Sequence, residues 1–498
     1  MRPNSAYGEI ERRFRRINAL EEASAVLQWD QQTTMPAGGA EGRAEQLATL
    51  KVLAHEMIVN PALADLIPAA RGEDGLDIWQ QANLREVERI WRHSTALPGD
   101  LVERMSRACS ACEMAWRRAR PAGDFAAVRP QLQTVLDLTR EAAAAKAAAL
   151  GLTPYDALLD QYEPGGRAAA IDALFGDLAR FLPGFIGRVI EHQKAGPPML
   201  PLAGPFPEAR QRALGLELMT AAGFDFERGR LDTSLHPFTG GTPDDVRITT
   251  RYREDDFMPA LMGVMHETGH ALYELGLPRD WRQQPVGKAR GMIIHESQSL
   301  LIEMQACRSK AFLNYAAPLL RRTFDGAGPA WEADNLYRHY THVERGLIRV
   351  DADEATYPAH VILRYRLERA LIAGDLTLAD LPGAWNDGMR ELVGTVPASD
   401  RQGCLQDLHW YDGAFGYFPT YTMGAIAAAQ LFDAAAQADG DVLPGIGRGD
   451  FRPLLTWLRK HVHRHGSLVS TDELLRAATG RPLDVATYKR HLETRYLS

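Results

Sequence analysis

Apolar residues recur at intervals of three and four along most of this chain of 498 residues. The stretch "AYGEIERRFRRINALEEASAVLQWDQQ" has this spacing, and "VLDLTREAAAAKAAALGL" adds a run of alanine that stops at a glycine. Alternating runs of β-branched residues, typical of strands, are scarce. The pattern predicts a mainly α-helical fold. Because no linker-like segment is long enough to force a domain boundary, we expect one unit over residues 1–498, which can comprise two helical lobes around a groove.

Two segments near the middle of the chain are the best candidates for strands. In "DDVRITTRYRE", the residues Val246, Ile248 and Thr250 alternate with polar residues, and "LDTSLHPFTGG" precedes this segment. Two short strands around a glycine-rich turn would form a small sheet beside the helix that follows.

The composition argues against several classes of protein. A net charge of −8 speaks against nucleic acid or an acidic membrane as the main partner. The chain has no run of about 18 apolar residues, so we expect no transmembrane helix. Four cysteines in the whole chain suit a reducing compartment, so we expect a cytoplasmic location. Cys109 and Cys112 form a lone C-x-x-C, for which packing on a helix face is favoured over a zinc or redox pair.

The stretch "MGVMHETGHALYELG" contains His266, Glu267 and His270 in the pattern H-E-x-x-H. On a helix the two imidazoles lie one turn apart on one face, where both can reach one zinc ion. Glu267 lies about 100° round the helix, near enough to accept a proton from a water molecule without being a ligand. The pattern also occurs by accident in some chains, so a metal site needs support from further residues.

A catalytic zinc ion requires a third protein ligand and one open position. Glu274 shares the helix face but lies two turns from His266. Downstream, "MIIHESQSLLIEMQA" offers Glu296 and Glu303, seven residues apart and hence on one face of the next helix. Glu296 follows His270 by 26 residues, which leaves room for a loop and a returning antiparallel helix. Glu303 could then hold a ligand imidazole or be a solvated acid.

Further motifs agree with one known family. They are "HPF" at 236–238, "DVRIT" at 245–249, "IRVDAD" at 348–353 and "GCLQDLHW" at 403–410. Together with H-E-T-G-H and H-E-S-Q, they make the chain similar to the carboxypeptidase Taq family of zinc metallopeptidases. The segments "WDQQTTMP" and "YDALLDQYEPG" agree as well, so the resemblance extends from about residue 29 to the end.

The resemblance implies a mainly helical, oligopeptidase-like fold with a long deep groove. It implies removal of single residues from the free C-terminus of peptides, and it implies a homodimer. One Zn²⁺ per chain would be bound by His266, His270 and Glu296, with Glu267 as the catalytic acid and base. Cobalt or manganese can occupy such a site.

The segment "HWYDGAFGYFPTYTMGA" offers donors for the tetrahedral oxyanion. Related oligopeptidases use a histidine and tyrosines from a similar glycine-rich stretch, so we expect His409 to act with Tyr417 or Tyr421. Core packing is the alternative for any one of these tyrosines. His236 of "HPF" is expected to line the groove, with a satisfied core histidine as its alternative.

A carboxypeptidase must also bind a free carboxylate, which a guanidinium fits with two hydrogen bonds. Arg349 in "IRVDAD" and Arg247 in "DVRIT" are the candidates. Each could instead form a structural ion pair with an acid of its own motif. These acids are Asp351, Asp353 and Asp245.

Two other functions remain open from the sequence. An endo-acting oligopeptidase would use the same zinc chemistry without a carboxylate clamp. A helical binding scaffold with a decayed site would have lost at least one of the four residues of the metal set and its base, all of which are present.

Overall fold

Helices form most of the computed structural model, which describes residues 5–498, so the mainly helical prediction is confirmed. The first helices are α1 (Ala6–Thr33), α2 (Ala40–Ile58), α3 (Ala62–Arg71), α4 (Ile78–Thr95), α5 (Gly99–Ala122), α6 (Phe125–Leu150), α7 (Pro154–Tyr162), α8 (Ala168–Ala195) and α9 (Glu208–Ala221). The strands β1 (Gly229–Thr233), β2 (Phe238–Thr242) and β3 (Asp245–Thr250) follow. The remaining helices are α10 (Met258–Gly276), α11 (Gly291–Leu300), α12 (Lys310–Phe324), α13 (Ala333–Tyr340), α14 (Tyr357–Ala373), α15 (Leu381–Leu392), α16 (Pro419–Ala438), α17 (Val442–Ile446), α18 (Arg452–His461), α19 (Thr471–Thr479) and α20 (Val485–Leu497).

The chain divides into two compact units, each discontinuous in sequence. The first contains the described residues up to Ser94 together with Met199–Tyr340 and Ala427–Leu483, and the second contains Thr95–Pro198, Thr341–Ile426 and Asp484–Ser498. The first unit holds the three strands and α10. In the second, α14 packs against α6, α7, α8 and α15, and most of its residues are buried all round, as expected of a central helix.

The small sheet has three strands where the sequence predicts two. Its order is β1-β3-β2, with β1 parallel and β2 antiparallel to β3. The segment "LDTSLHPFTGG" contributes to two strands because it breaks at Ser234–Pro237, where proline has no N–H for a ladder. The β2–β3 turn requires glycine at Gly241, whose φ is +84° and where a Cβ would lie 2.1 Å from the carbonyl oxygen of Asp245.

Helix α10 ends at Gly276, just before Pro278, as the sequence predicts. One side of α10 packs against the sheet through a cluster that includes Val264, Val246 and Ile248. These contacts place β2 and β3 directly beside the helix that carries His266, in agreement with the prediction.

The other side of α10 packs closely against α11. Contacts join His266 to Glu303 and Glu274 to His295, so the two helices run in opposite directions, as predicted. Gly269, inside the H-E-x-x-H pattern, allows this approach, because a Cβ there would lie 2.4 Å from a backbone carbonyl oxygen of α11. A side chain at this position would force the two helices apart.

Among residues 5–498, no helix combines the length and apolar character needed to cross a membrane. Cys109 and Cys112 both lie on α5, and neither belongs to the one cluster of potential metal ligands found in this part of the chain.

Candidate active site

Two imidazoles and a carboxylate meet where α10 packs against α11. His266 and His270 lie one turn apart on α10, and Glu296 comes from α11. One ligand atom from each residue lies within 4.8 Å of the others, and His270 Nε2 is 3.6 Å from a Glu296 oxygen. His270 and Glu296 are buried, and His266 is half-buried. This spacing suits a single divalent ion.

The hydrogen bonds of the two imidazoles leave their Nε2 atoms for a ligand. His270 Nδ1 lies 3.1 Å from the backbone carbonyl oxygen of His295, which can only accept, so Nδ1 carries the hydrogen. His266 Nδ1 lies 2.9 Å from the carboxylate of Glu303, which can only accept, so this Nδ1 also carries a hydrogen, and the ring can bind an ion once Nε2 has lost its proton. The lone pair of each neutral ring is then on Nε2, the atom available to a metal ion. The donor set therefore fits a divalent cation.

Glu303 is itself held by a cation. Its second oxygen accepts a hydrogen bond from Arg308 at 2.5 Å. Burial would raise the pKa of Glu303, but Arg308 and the hydrogen bond from His266 outweigh burial and keep this pKa below its ordinary value. Glu303 lies in a π-helical segment, Leu301–Cys307, that continues α11, and such segments are frequent at functional sites. Glu303 is thus a buried acid that holds an imidazole, and the solvated alternative is wrong.

The charges around the imidazoles favour a cation. Burial raises the pKa of Glu267 and Glu296. Burial also lowers the pKa of His266, but Glu303, Glu296 and Glu267 outweigh this effect and raise it to about 10. Burial keeps the pKa of His270 well below its ordinary value, so this ring is neutral at neutral pH. A divalent ion would neutralise much of the negative charge of the three carboxylates.

Glu267 contacts the sheet and not the ligand cluster. Its Oε2 accepts a hydrogen bond from the hydroxyl of Thr239 on β2, at 2.7 Å. Glu267 is buried next to His266, yet its carboxylate is not among the three clustered ligand groups. This placement is what the chemistry of a base beside a metal site requires.

Glu274 also lies outside the cluster, as its position two turns from His266 predicts. Its carboxylate lies 2.9 Å from His295 Nε2. The ring of His295 packs against that of His270 with centroids 4.6 Å apart. This pair therefore supports the contact between α10 and α11.

Arg247 and His236 lie in the first unit, near the sheet. The guanidinium of Arg247 donates two hydrogen bonds to Asp245, at 3.0 and 2.6 Å, and packs on the ring of Trp29 at 4.5 Å. Arg247 therefore forms the ion pair with the acid of its own motif, Asp245. His236 is exposed, so the alternative of a satisfied core histidine is wrong.

Arg349 lies in the second unit, within a buried ion-pair network. Its Nε and Nη2 are 2.9 and 2.8 Å from one oxygen of Asp407, and its Nη1 donates to the Tyr357 hydroxyl at 3.1 Å. The fully buried Arg364 of α14 donates to the other Asp407 oxygen at 2.6 Å. The Asp407 carboxylate of "GCLQDLHW" thus binds Arg349 of "IRVDAD" and, through its other oxygen, Arg364 of α14.

The acids of "IRVDAD" are not the partners of Arg349, in contrast to the expected alternative. Asp351 is exposed. The Asp353 carboxylate accepts hydrogen bonds from the backbone N–H groups of Ala355 and Thr356, both at 2.9 Å, just before α14 begins. Because the Asp353 carboxylate is hydrogen-bonded to the backbone, the guanidinium of Arg349 pairs with Asp407, which lies in a distant segment.

The pKa values of Asp407 and His409 are both lowered, but for different reasons. Burial would raise the pKa of Asp407, but Arg364 and Arg349 outweigh it and hold this pKa well below the usual range. Burial lowers the pKa of His409 to about 4, against the opposing effect of Asp407. At neutral pH, His409 is therefore a neutral imidazole beside a cluster with excess positive charge.

His409, Tyr417 and Tyr421 form one half-buried cluster. His409 Nε2 lies 3.1 Å from the Tyr421 hydroxyl, and the ring of Tyr417 is 5.7 Å from His409 and 5.1 Å from Tyr421. The guanidinium of Arg349 lies 5.2 Å from the centre of the Tyr421 ring. The second unit thus brings together the three residues expected at the oxyanion and one of the two expected at the substrate carboxylate.

A buried carboxylate, Glu368 of α14, holds the loop that follows His409. It accepts hydrogen bonds from Trp410 Nε1 at 3.0 Å, from the backbone N–H of Gly416 at 3.3 Å and from the Tyr155 hydroxyl at 2.9 Å. Burial raises the pKa of Glu368 to about 8 despite these three bonds. One side chain therefore holds both ends of the loop.

Several residues around these clusters were not predicted from the sequence. They include Thr239, Arg308, Tyr357, Arg364, Asp407 and Glu368. Asp407 lies inside a quoted motif and Thr239 directly after one, so a survey of the polar residues in each motif would have found them. Arg308 follows Glu303 by five residues, a spacing that only the π-helical turn brings together. No sequence pattern indicates the role of Glu368, because it lies 42 residues from its partner Trp410.

Comparisons with known proteins agree with this arrangement. The profile of the carboxypeptidase Taq (M32) metallopeptidase family matches residues 9–496. The chain is 38% identical over 508 residues to thermostable carboxypeptidase 1 of Thermus thermophilus, covering 100% of this chain and 99% of that protein. It is 32% identical over 495 residues to carboxypeptidase 1 of Bacillus subtilis, covering 97% and 96%. The structure of Trypanosoma cruzi metallocarboxypeptidase 1 superposes with a TM-score of 0.97 at 41% identity over 99% of both chains. The chain therefore belongs to the carboxypeptidase Taq (M32) metallopeptidase family, and it is a metallocarboxypeptidase, a hydrolase of peptide bonds.

Proposed function

We propose that this metallocarboxypeptidase uses zinc, with one Zn²⁺ per chain bound by His266, His270 and Glu296. The observation that carries the proposal is that both Nδ1 atoms are already hydrogen-bonded, so two Nε2 atoms and one carboxylate remain for an ion. Two nitrogen ligands, one oxygen ligand and an open fourth position make up a known type of catalytic zinc site. Cobalt or manganese can replace zinc in such a set.

Glu267 serves as the acid and base of the reaction. When bound, the zinc ion would polarise the scissile carbonyl and lower the pKa of a water molecule. Glu267 takes a proton from the attacking water and later gives it to the nitrogen of the departing residue. Burial raises the pKa of Glu267 above its ordinary value, which brings this group closer to the pH at which it must both accept and release a proton.

His409 and one of the two tyrosines donate hydrogen bonds to the tetrahedral oxyanion. The burial that lowers the pKa of His409 to about 4 keeps its ring neutral, so one ring nitrogen carries a hydrogen and can donate. The hydroxyls of Tyr417 and Tyr421 lie in the same half-buried cluster. Donors held in advance in a partly dry site act on developing charge more strongly than donors in water.

Arg349 binds the free carboxylate of the peptide, and Arg247 does not. Arg349 shares a single carboxylate, that of Asp407, with Arg364, so its cluster has an excess of positive charge. The charge of Arg247 is already matched by the two hydrogen bonds to its own partner, Asp245. An unmatched buried guanidinium gains more from an incoming carboxylate than a matched one.

We also infer a homodimer, a groove that His236 helps to line and a cytoplasmic location. The family resemblance supports a homodimer and a groove lined in part by His236, which is exposed. The low cysteine content supports a cytoplasmic location.

Metal analysis of two glutamate variants tests the ligand set. Glu296→Ala should lose zinc on dialysis, because two imidazoles alone hold the ion weakly. Glu303→Ala should keep an ion at saturating zinc, with affinity lowered about 10- to 100-fold, since it loses only the partner of a ligand imidazole. Glu274→Ala, on α10 but outside the cluster, is the control and should retain full occupancy. Full zinc occupancy in Glu296→Ala after dialysis would contradict the assignment.

A further inference from the structure

A threonine on the small sheet contacts the carboxylate of Glu267. The Thr239 hydroxyl lies 2.7 Å from Glu267 Oε2 and 3.0 Å from the backbone carbonyl oxygen of the same residue. Among residues 5–498, Thr239 is the one side chain that donates a hydrogen bond to this carboxylate.

The position of Thr239 is fixed by the sheet. Thr239 pairs with Ile248 in the antiparallel β2–β3 register, and Ile248 is buried in the cluster that joins the sheet to α10. The two residues after Thr239 are glycines, and Gly241 allows the tight turn into β3. The strand therefore cannot shift along α10 without breaking its ladder and its apolar contacts. A hydroxyl fixed in this way can orient a flexible glutamate side chain.

We propose that Thr239 is a positioning residue for Glu267, and that it selects Oε1 as the oxygen that exchanges protons. Its hydrogen bond occupies Oε2, which leaves Oε1 to face the reacting water. A carboxylate that is held in one rotamer spends more of its time in the reactive geometry than a freely rotating one. The inference rests on the proposed role of Glu267 as acid and base.

The proton balance of the step is simple. The attacking water forms a bond to the carbonyl carbon and gives one proton to Oε1. That proton then passes from Oε1 to the nitrogen of the departing residue as the C–N bond breaks. Thr239 keeps its own proton throughout, so it acts only through Glu267.

Three threonine variants test the inference. Thr239→Val keeps the side-chain shape and removes the hydroxyl, and we expect kcat to fall about 10- to 100-fold with KM unchanged within about twofold. Thr239→Ser restores the hydroxyl and should stay within about threefold of the wild-type kcat. Thr268→Val is the matched control, because the Thr268 hydroxyl is buried on α10 and, among residues 5–498, bonds to the backbone oxygen of Val264 and not to the Glu267 carboxylate. It should retain the wild-type kcat.

Further measurements separate orientation from packing. A crystal structure of Thr239→Val should show Glu267 in more than one rotamer, with the metal content unchanged. A wild-type kcat in Thr239→Val would overturn the inference, because activity would then not need the hydroxyl. A loss of kcat in Thr239→Ser as large as that in Thr239→Val would overturn it as well, because restoring the hydroxyl would then not restore activity. A rise in KM with kcat unchanged would overturn it too, because Thr239 would then contact substrate.

Glu267→Gln, measured in the same series, distinguishes the two levels of the proposal. If Glu267→Gln is inactive while Thr239→Val is fully active, only the positioning role fails. If Glu267→Gln stays active, the proposed role of Glu267 as acid and base is wrong, and the positioning role of Thr239 falls with it. In the Glu267→Gln background, adding Thr239→Val should change kcat by no more than about twofold, because the group that it orients is already gone. A further tenfold loss in that background would overturn the positioning role.

Discussion

Two of the clusters of buried charge in the described residues, one around His266 and one around Asp407, have opposite signs. In the first unit, the three carboxylates of Glu267, Glu296 and Glu303 outnumber two cationic groups, the Arg308 guanidinium and the His266 ring, whose pKa is raised. In the second unit, the cluster contains one carboxylate and two guanidiniums, those of Asp407, Arg349 and Arg364. Uncompensated buried charge is costly, so each cluster favours a bound species of the opposite sign. A metallocarboxypeptidase needs one of each, a divalent cation and the terminal carboxylate of its substrate.

The clusters also differ in how the chain builds them. The cluster around His266 uses residues from α10 and the helical segments that directly follow, so neighbouring stretches of sequence supply all its parts. The arginine cluster joins Arg349 to a carboxylate 58 residues away. The first could be read from helical spacing, whereas the second required long-range packing. Three changes of charge test this comparison.

The largest effect should come from Glu267→Gln, which removes one negative charge from the first cluster without removing a ligand. We expect zinc to remain bound and kcat to fall about 10³-fold or more, because the reaction loses a positioned base. Zinc stoichiometry and kcat measured on the same preparation decide between the roles. A near wild-type kcat would show that Glu267 is not the base, and loss of zinc would make it a ligand.

The next effect concerns Asp407→Asn, which removes the single negative charge of the second cluster. At neutral pH we expect a loss of about 3–5 kcal/mol in the free energy of unfolding, because two buried guanidiniums lose their counter-charge. Because the pKa of Asp407 is depressed in the folded chain, its contribution is present above the ordinary aspartate pKa and disappears as the pH falls towards the folded value. The difference between wild type and variant should therefore shrink on acidification.

Urea unfolding at neutral and acidic pH measures this difference. Asp351→Asn is the control, since Asp351 is exposed in the neighbouring motif and should change stability by no more than about 0.5 kcal/mol. A neutral-pH stability equal to wild type in Asp407→Asn would mean that the arginines do not depend on this carboxylate.

The third effect tests the positive cluster with substrate. Amidation of the peptide C-terminus should lower kcat/KM by about 30- to 1000-fold, since a charge-assisted pair worth about 2–4 kcal/mol is lost and a guanidinium is left unpaired. Arg349→Ala should lose most of this preference for the free acid, and Arg247→Ala should keep it, with zinc content unchanged in both. Equal wild-type rates on acid and amide would rule out a clamp. A preference that survives both substitutions would place the clamp on other residues.

Local patterns determined much of this protein. The spacing of apolar residues predicts the helical fold, and Gly276 with Pro278 predicts where α10 ends. The one-turn separation of His266 and His270 predicts that they share a face of α10, and the length of chain after α10 predicts an antiparallel return that brings Glu296 to them. Such features depend on residues near one another in sequence, and local rules are sufficient for them. That this group binds zinc stays a prediction.

Tertiary structure alone decided which partners the charged and polar side chains take. The acids adjacent to Arg349 in sequence looked like its partners, but Asp351 is exposed and Asp353 accepts hydrogen bonds from backbone N–H groups just before α14. Asp407 therefore pairs with Arg349. The extra strand, the exposure of His236 and the contact between Thr239 and Glu267 were equally hidden. Each depends on which elements pack together, and packing is chosen by the burial of whole faces, a sum over distant residues that no single motif contains.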